Sequence, residues 1–92
     1  MRESTLEHAV ISFGETLGYL VRKMAYIGRA GAPDRWFFKD GRCFAVEFKS
    51  LKGRLSEFQV QEIKALREHG MNVYVIRTFD EALAMFDCED VL

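Results

Sequence analysis

The sequence has little cysteine and no long apolar run. Its two cysteines, Cys43 and Cys88, stand in no metal-binding or redox spacing, so we expect free thiols, as in a reducing compartment, and no structural zinc site. No segment approaches the roughly 20 apolar residues that a membrane helix requires, and no basic-then-apolar stretch at the start is typical of a signal peptide. These absences predict a soluble protein of the cytoplasm.

Apolar and aromatic residues are plentiful for the length of the chain. Of the 92 residues, 49% are hydrophobic and 13% are aromatic. One hydrophobic core commonly organises about 100 to 150 residues, so a second domain has no room. A core of this composition can form without metal or disulfide bonds. We therefore predict one folded domain over residues 1–92.

The basic residues are concentrated in the middle of the chain. There are 13 Lys and Arg against 14 Asp and Glu, but residues 22–54 hold nine basic and only three acidic residues, a net charge of +6 against −7 elsewhere. A basic middle can place positive potential around one site, as an enzyme that handles a polyanion requires. The same distribution also fits a solvated basic loop region, and charge alone does not separate the two interpretations.

Hydrophobic periodicity predicts a first helix. Ser4 and Glu7 have capping-box spacing, and Gly18 is suited to the end of the helix. One face is apolar with the spacing of an amphipathic helix. This face consists of Leu6, Val10, Phe13 and Leu17.

Turn residues and alternation predict the remaining elements. Strands are expected at residues 19–24, 34–39, 42–49 and 72–77, with a glycine-rich loop at 27–33. A helix capped by Ser56 should run to about His69, and a last helix should run from a Thr78–Glu81 capping box to about Phe86. In the first of these, the residues expected to point inward are Phe58, Ile63 and Leu66. The order α-β-β-β-α-β-α predicts an α/β fold with a mixed sheet flanked by helices.

The Asp40-Gly41 pair predicts a two-residue type I′ hairpin between the second and third strands. In that register Asp34 directly faces Glu47, with Cβ atoms about 4.5 to 5.5 Å apart. Two like charges so placed are unfavourable, and either a divalent cation, a shared proton or a nearby Arg or Lys must compensate. A one-residue slip would move one carboxylate to the other face of the sheet.

Strand alternation adds a lysine to the two carboxylates. Glu47 and Lys49 are two positions apart and share a face, whereas Phe44, Val46 and Phe48 point to the other face. An ammonium group beside carboxylates can stabilise charge on a phosphate and help to position or deprotonate a water, while a metal polarises the phosphoryl group. These are the parts required for phosphodiester hydrolysis.

An ordered set of motifs connects these residues to a known family. The set is Pro33-Asp34 followed by Glu47-Phe48-Lys49, together with GRAGAPD at residues 28–34, GRLSEFQ at 53–59 and GMNVYVI at 70–76. It resembles the VRR-NUC (virus-type replication-repair nuclease) family of the PD-(D/E)xK nuclease superfamily over nearly the whole chain. The resemblance implies a restriction-endonuclease-like α/β core in which Asp34 and Glu47 bind Mg²⁺ or Mn²⁺. The backbone carbonyl of Phe48 would be a further metal ligand, and Lys49 would be the catalytic lysine.

Two more residues have both a functional and a structural interpretation. By resemblance, Gln59 matches a family glutamine in the helix after the Glu-x-Lys strand and is a candidate catalytic residue. Glu7 matches an acidic residue of the first helix and is a candidate metal ligand. Each also occupies the position of a capping box from which the side chain returns to the cap backbone N–H. One departure from many members is Glu57 in place of Pro, which a first helical turn also accepts.

The leading hypothesis is a metal-dependent DNA endonuclease, for which the resemblance implies branched DNA, such as four-way (Holliday) junctions. We expect a homodimer for two reasons. A small chain offers little DNA-binding surface, and a two-fold dimer has two active sites, one for each of the two DNA strands. The alternatives are a non-catalytic nucleic-acid-binding module with the same fold, and a structural or partner-binding domain. Basic side chains near the centre would contact phosphates or simply favour solubility. They are Arg29, Arg35, Lys52 and Arg54.

Overall fold

A computed structural model describes residues 2–90 of the chain. The order of its elements, α-β-β-β-α-β-α, confirms the order predicted from the sequence. The elements are α1 (Glu3–Thr16), β1 (Leu20–Lys23), β2 (Arg35–Lys39), β3 (Arg42–Phe48), α2 (Glu57–Glu68), β4 (Asn72–Ile76) and α3 (Phe79–Glu89). Within residues 2–90, no helix is both long and apolar enough to span a membrane.

The four strands form one mixed sheet in the order β1-β2-β3-β4. The β1–β2 and β2–β3 pairs are antiparallel, whereas β3 and β4 are parallel. Parallel neighbours need a crossover connection, commonly a helix, and α2 lies in the segment that joins β3 to β4. The predicted α/β fold with a mixed sheet flanked by helices is therefore confirmed.

The hairpin between β2 and β3 has the predicted register. Asp40 has φ 53° and Gly41 has φ 75°, and positive φ at both central residues is the requirement of a type I′ turn. Lys39 pairs with Arg42 across the turn, and the same register continues along both strands to the far end of β2. The turn therefore determines on which face of the sheet each residue of β2 and β3 lies.

Alternation along β3 divides the core between the two faces of the sheet. Phe44, Val46 and Phe48 are buried in the larger cluster, as predicted, together with residues of α1 and α3. Ala45 belongs to a smaller cluster that includes Ile63 of α2. Because successive side chains point to opposite faces, Glu47 projects from the face that α2 covers.

The first helix begins earlier than predicted, and the predicted Ser4–Glu7 capping box is wrong. The N-cap is Arg2, which makes no side-chain capping hydrogen bond, so Ser4 lies inside the helix. Burial of the apolar face, including Leu6 and Val10, holds the helix in place without a cap. Glu7 is consequently not required at the helix end.

The second helix has the predicted cap, and two of the three residues predicted to point inward, Ile63 and Leu66, pack in the core. Ser56 and Gln59 form a complete capping box, and Ile63 is buried as expected. Phe58, however, is 63% exposed, so its inward assignment is wrong. Phe58 precedes Gln59 by one residue, which turns its side chain about 100° around the helix axis from the face that meets the sheet.

The third helix is capped by Thr78 and Glu81 as predicted and continues beyond its predicted end. The buried carboxylate of Glu89 explains the extension, because its Oε2 accepts hydrogen bonds from the Asn72 amide and the Tyr74 hydroxyl of β4. These bonds attach the last turn of α3 to β4, which is an edge strand of the sheet. The acidic segment from Asp87 to Asp90 therefore forms the end of α3 and its C-cap, and of its side chains only Glu89 is buried.

Candidate active site

Two carboxylates meet where β2 begins and β3 ends. Glu47, the second-last residue of β3, is only 2% exposed, and Asp34 lies one residue before β2. The backbone amide of Phe48 donates a hydrogen bond of 2.8 Å to Oδ2 of Asp34. This bond ties the Asp34 carboxylate to the strand that carries Glu47.

The environment of Glu47 strongly favours its protonated form. Burial and the negative charge of Asp34 raise the pKa of Glu47 from 4.5 to about 8, against the lowering effect of Lys49. In the protonated form a hydrogen bond to Asp34 adds to this rise. The predicted unfavourable pairing of like charges is therefore present, and either a proton or a cation relieves it.

Lys49 and Gln59 both approach the same oxygen of Glu47. The Lys49 ammonium lies 4.0 Å from Oε2, and its side chain is 17% exposed. The side-chain amide of Gln59 donates a hydrogen bond of 2.8 Å to this Oε2, while its own oxygen accepts from the backbone N–H of Ser56. The functional and capping interpretations of Gln59 are thus compatible, since one amide serves both.

The other oxygen of Glu47 is suited to a metal. Oε1 is buried and has no hydrogen-bond partner among residues 2–90, an arrangement that is costly unless a cation or proton occupies the position. Within residues 2–90 no three His, Cys, Asp or Glu side chains converge as a metal-binding group. Mg²⁺ is nevertheless commonly held by one or two carboxylates together with waters and substrate phosphate oxygens. The Asp34–Glu47 pair fits that requirement.

Glu7 and Arg35, predicted as a metal ligand and a phosphate contact, bind each other. Oε2 of Glu7 lies 2.6 Å from Nε of Arg35, and the two side chains are 19% and 22% exposed. This ion pair joins α1 to the start of β2, next to Asp34. Within residues 2–90 Glu7 does not join Asp34 and Glu47 in a metal-binding group of three, and its carboxylate instead compensates the charge of Arg35.

The other three predicted phosphate contacts are accessible. Lys52 and Arg54 are exposed in the loop between β3 and α2. The side chain of Arg29 is 70% exposed and lies 3.5 Å from Oε1 of Glu62. These cations flank the end of the sheet at which Asp34 and Glu47 lie.

Sequence reasoning missed two residues that hold the loops on either side of the carboxylates. Glu62 accepts a hydrogen bond of 2.6 Å from the Tyr26 hydroxyl, which fixes the loop that leads to Asp34. The Arg77 guanidinium donates to the backbone carbonyls of Ser50 and Gly53, at 2.8 and 2.5 Å, and so fixes the loop that follows Lys49. Neither residue lies in the motifs quoted above. Their positions in the sequence do not indicate these contacts, which form only in the folded chain.

The comparisons with known proteins agree with this geometry. The sequence profile of the VRR-NUC domain matches residues 3–80. The chain belongs to the VRR-NUC family. A solved structure described as a VRR_NUC domain has 30% sequence identity and a TM-score of 0.83, with 98% of this chain and 97% of that chain covered. No curated protein gives a significant match.

The VRR-NUC match includes every element of the candidate site. Its range ends at the start of α3, so the two carboxylates, Lys49 and Gln59 all fall inside it. VRR-NUC domains belong to the nuclease superfamily, and the protein therefore has a nuclease-like fold. The last turns of α3, including Glu89, lie beyond the VRR-NUC match.

Proposed function

We propose that the protein is a divalent-metal-dependent DNA endonuclease. The observation that carries the proposal is the buried carboxylate of Glu47, which has Asp34 and Lys49 beside it and one oxygen that has no partner in the described part of the chain. A purely structural site would rarely retain two acidic groups whose proximity is unfavourable. The nuclease-like fold gives the same residues a chemical purpose.

Asp34 and Glu47 would hold Mg²⁺ or Mn²⁺, which would polarise the scissile phosphate and make an attacking water more acidic. In a regular strand the N–H and C=O of one residue face the same neighbour, so we expect the Phe48 carbonyl to face the side of Asp34 and to be a further ligand. Gln59 would orient Glu47 through its 2.8 Å hydrogen bond.

Lys49 would stabilise the charge that develops on the phosphate, because its ammonium lies beside the carboxylates and is only partly exposed. Exposed Arg29, Lys52 and Arg54 would hold the DNA backbone without reading its sequence. Family membership supports branched DNA, such as four-way junctions, as the substrate, and two-fold pairing of this small chain as a homodimer would serve two strands.

Cleavage assays with one matched variant test the proposal. Duplex and four-way-junction DNA are incubated with the protein in Mg²⁺, Mn²⁺ or EDTA, beside Lys49→Met and Lys64→Met. We expect cutting in either metal, none in EDTA, and none by Lys49→Met, whereas Lys64→Met, an exposed residue of α2, should cut normally. Cutting in EDTA or undiminished cutting by Lys49→Met would contradict the mechanism.

The same assays also address the second function, a non-catalytic nucleic-acid-binding module. Retention of Asp34, Glu47 and Lys49 in one cluster argues against it. DNA binding without cutting, in either metal and on either substrate, would favour the module over the nuclease.

A further inference from the structure

The loop between β1 and β2 presents apolar side chains at the end of the sheet where the carboxylates lie, and Ile27 is far more exposed than Met24, which is 42% exposed. Ile27 is 101% exposed, so no other side chain of residues 2–90 covers it. The loop leaves β1 at Lys23, which pairs with Arg35, and it returns at Asp34. Because Ile27 stays in solvent, it does not contribute the stabilising free energy that burial gives to other apolar side chains.

This loop is held firmly against α2. The Tyr26 hydroxyl donates 2.6 Å to Oε2 of Glu62, and the Arg29 guanidinium lies 3.5 Å from Oε1 of the same residue. Burial and this hydrogen bond raise the pKa of Tyr26 to about 12, so its hydroxyl stays a donor. A Cβ at Gly31 would lie 2.6 Å from the carbonyl oxygen of Phe58, which shows how closely the loop backbone meets the helix.

The same helix holds the active-site carboxylate. Gln59, one turn before Glu62 on α2, donates to Glu47. The loop and Glu47 are therefore positioned by one rigid element, and Ile27 is presented at a fixed place relative to the carboxylates. A side chain on a braced loop loses little conformational freedom when it contacts a ligand.

The charges around Ile27 indicate the kind of ligand. Residues 22–29 contain Arg22, Lys23 and Arg29 and no acidic residue, and all three side chains belong to exposed positions; Glu62 of α2, 3.5 Å from Arg29, offsets part of this positive charge. An apolar side chain flanked by cations is suited to a nucleic acid. The cations can contact the phosphates, and the apolar side chain can contact bases that are no longer stacked on each other. Apolar wedges such as Ile enter base steps in this way, and opening costs least where stacking is already interrupted.

We propose that Ile27 is a substrate-contacting residue that inserts between unstacked bases of DNA at a nick, gap or branch point, with Glu62 as the positioning residue that braces its loop. The inference rests on the proposed nuclease function and gives it a structural basis for preferring interrupted over continuous duplexes. The ligand class is DNA in which the stacking between two adjacent bases is interrupted by a nick, a gap or a branch point.

Fluorescence of 2-aminopurine tests the insertion. The base is placed beside the nick of a nicked duplex, an intact duplex of the same sequence is the comparison, and Ca²⁺ replaces Mg²⁺ to prevent cutting. Binding of the protein should increase the fluorescence of the nicked DNA. Ile27→Ala should abolish that increase and weaken binding to nicked DNA by about tenfold, while binding to intact duplex changes by less than about twofold.

Three variants serve as controls. Ile27→Met should preserve the fluorescence increase, and Glu62→Ala should reduce it because the loop loses both attachments. Leu20→Ala should behave as the unmodified protein, since Leu20 is 51% exposed but lies at the opposite end of β1.

Nicked-DNA binding and fluorescence by Ile27→Ala equal to those of the unmodified protein would overturn the inference, as would an equal loss of binding to nicked and intact duplexes. Failure of the unmodified protein to cut any DNA in Mg²⁺ or Mn²⁺ would instead overturn the nuclease function on which the inference rests. Normal cutting together with an inert Ile27 would overturn the inference alone.

Discussion

The backbone amide of Phe48 and the carboxylate of Asp34 are joined by a 2.8 Å hydrogen bond, although Asp34 itself lies outside the strand. The bond continues the β2–β3 ladder through a side chain and brings Asp34 to Glu47. The position of the first carboxylate therefore depends on the backbone of the strand that carries the second. Asp34 thus has two roles, as an acceptor of this hydrogen bond and as a negative charge beside Glu47. A substitution that removes only the charge separates them.

Asp34→Asn should fold normally and lose metal binding. The side-chain oxygen of Asn can still accept from Phe48, but the negative charge is gone, so we expect cleavage to fall by about a hundredfold or more. Titration calorimetry with Mg²⁺ and Mn²⁺ measures the binding, and thermal unfolding checks the fold. Asp87→Asn, an exposed change on α3, should alter neither.

The stability of the metal-free protein should fall as the pH rises. Folding raises the pKa of Glu47 from 4.5 to about 8, so between these values the folded protein keeps a proton that the unfolded chain has released. The free energy of unfolding then decreases with pH across this window, by at most about 1.4 kcal/mol per pH unit, and levels off above it.

Glu47→Gln isolates this contribution, because the amide remains neutral at every pH. Urea unfolding in EDTA between about pH 5 and pH 9 should give a flatter profile for Glu47→Gln and a stability advantage on the alkaline side. Parallel profiles for the two proteins would show that Glu47 does not carry the raised pKa.

Gln59→Ala and Ser56→Ala separate catalysis from helix capping. Each removes one half of the same capping box, so each should lower the stability by about 1 kcal/mol. Only Gln59→Ala also removes the hydrogen bond to Glu47, and we expect it to slow cleavage by about tenfold. Equal slowing by both variants would mean that the cap alone is responsible.

Arg77→Met should slow cleavage while metal binding is preserved. Its guanidinium holds the carbonyls of Ser50 and Gly53, and release of this loop should loosen the position of Lys49. Arg67→Met is the matched control, because Arg67 also donates twice to a backbone carbonyl, that of Val73, outside the site. Single-turnover cleavage and calorimetry compare the two; loss of metal binding in Arg77→Met would contradict the assigned role.

Local sequence signals predicted the hairpin and the residues it carries. The Asp40-Gly41 turn determines the register because both residues accept positive φ, and alternation then places Glu47 and Lys49 on one face. The capping boxes at Ser56 and Thr78 are similarly local and were confirmed. Each depends on residues within a few positions of one another.

Signals that depend on the assembled fold were missed or misread. Glu7 has capping-box spacing from Ser4, yet its partner is Arg35, which only the packing of α1 beside β2 brings near. The hydrophobicity of Phe58 predicts that it lies on the inner face of α2. In the structure Gln59 lies on that face and donates to Glu47, whereas Phe58 is exposed. Long-range ion pairs and the choice of helix face depend on neighbours that a single sequence does not identify.

The type I′ turn also has a consequence for how the chain folds. The hairpin contains Glu47, and Asp34 and Lys49 directly adjoin its two ends. A hairpin of this kind forms in about 1 to 10 μs, whereas the parallel β3–β4 pair must wait for closure of the segment that includes α2. Repulsion between Asp34 and Glu47 therefore acts during the earliest pairing, before Gln59 arrives. We expect folding at neutral pH to be faster with a divalent cation present.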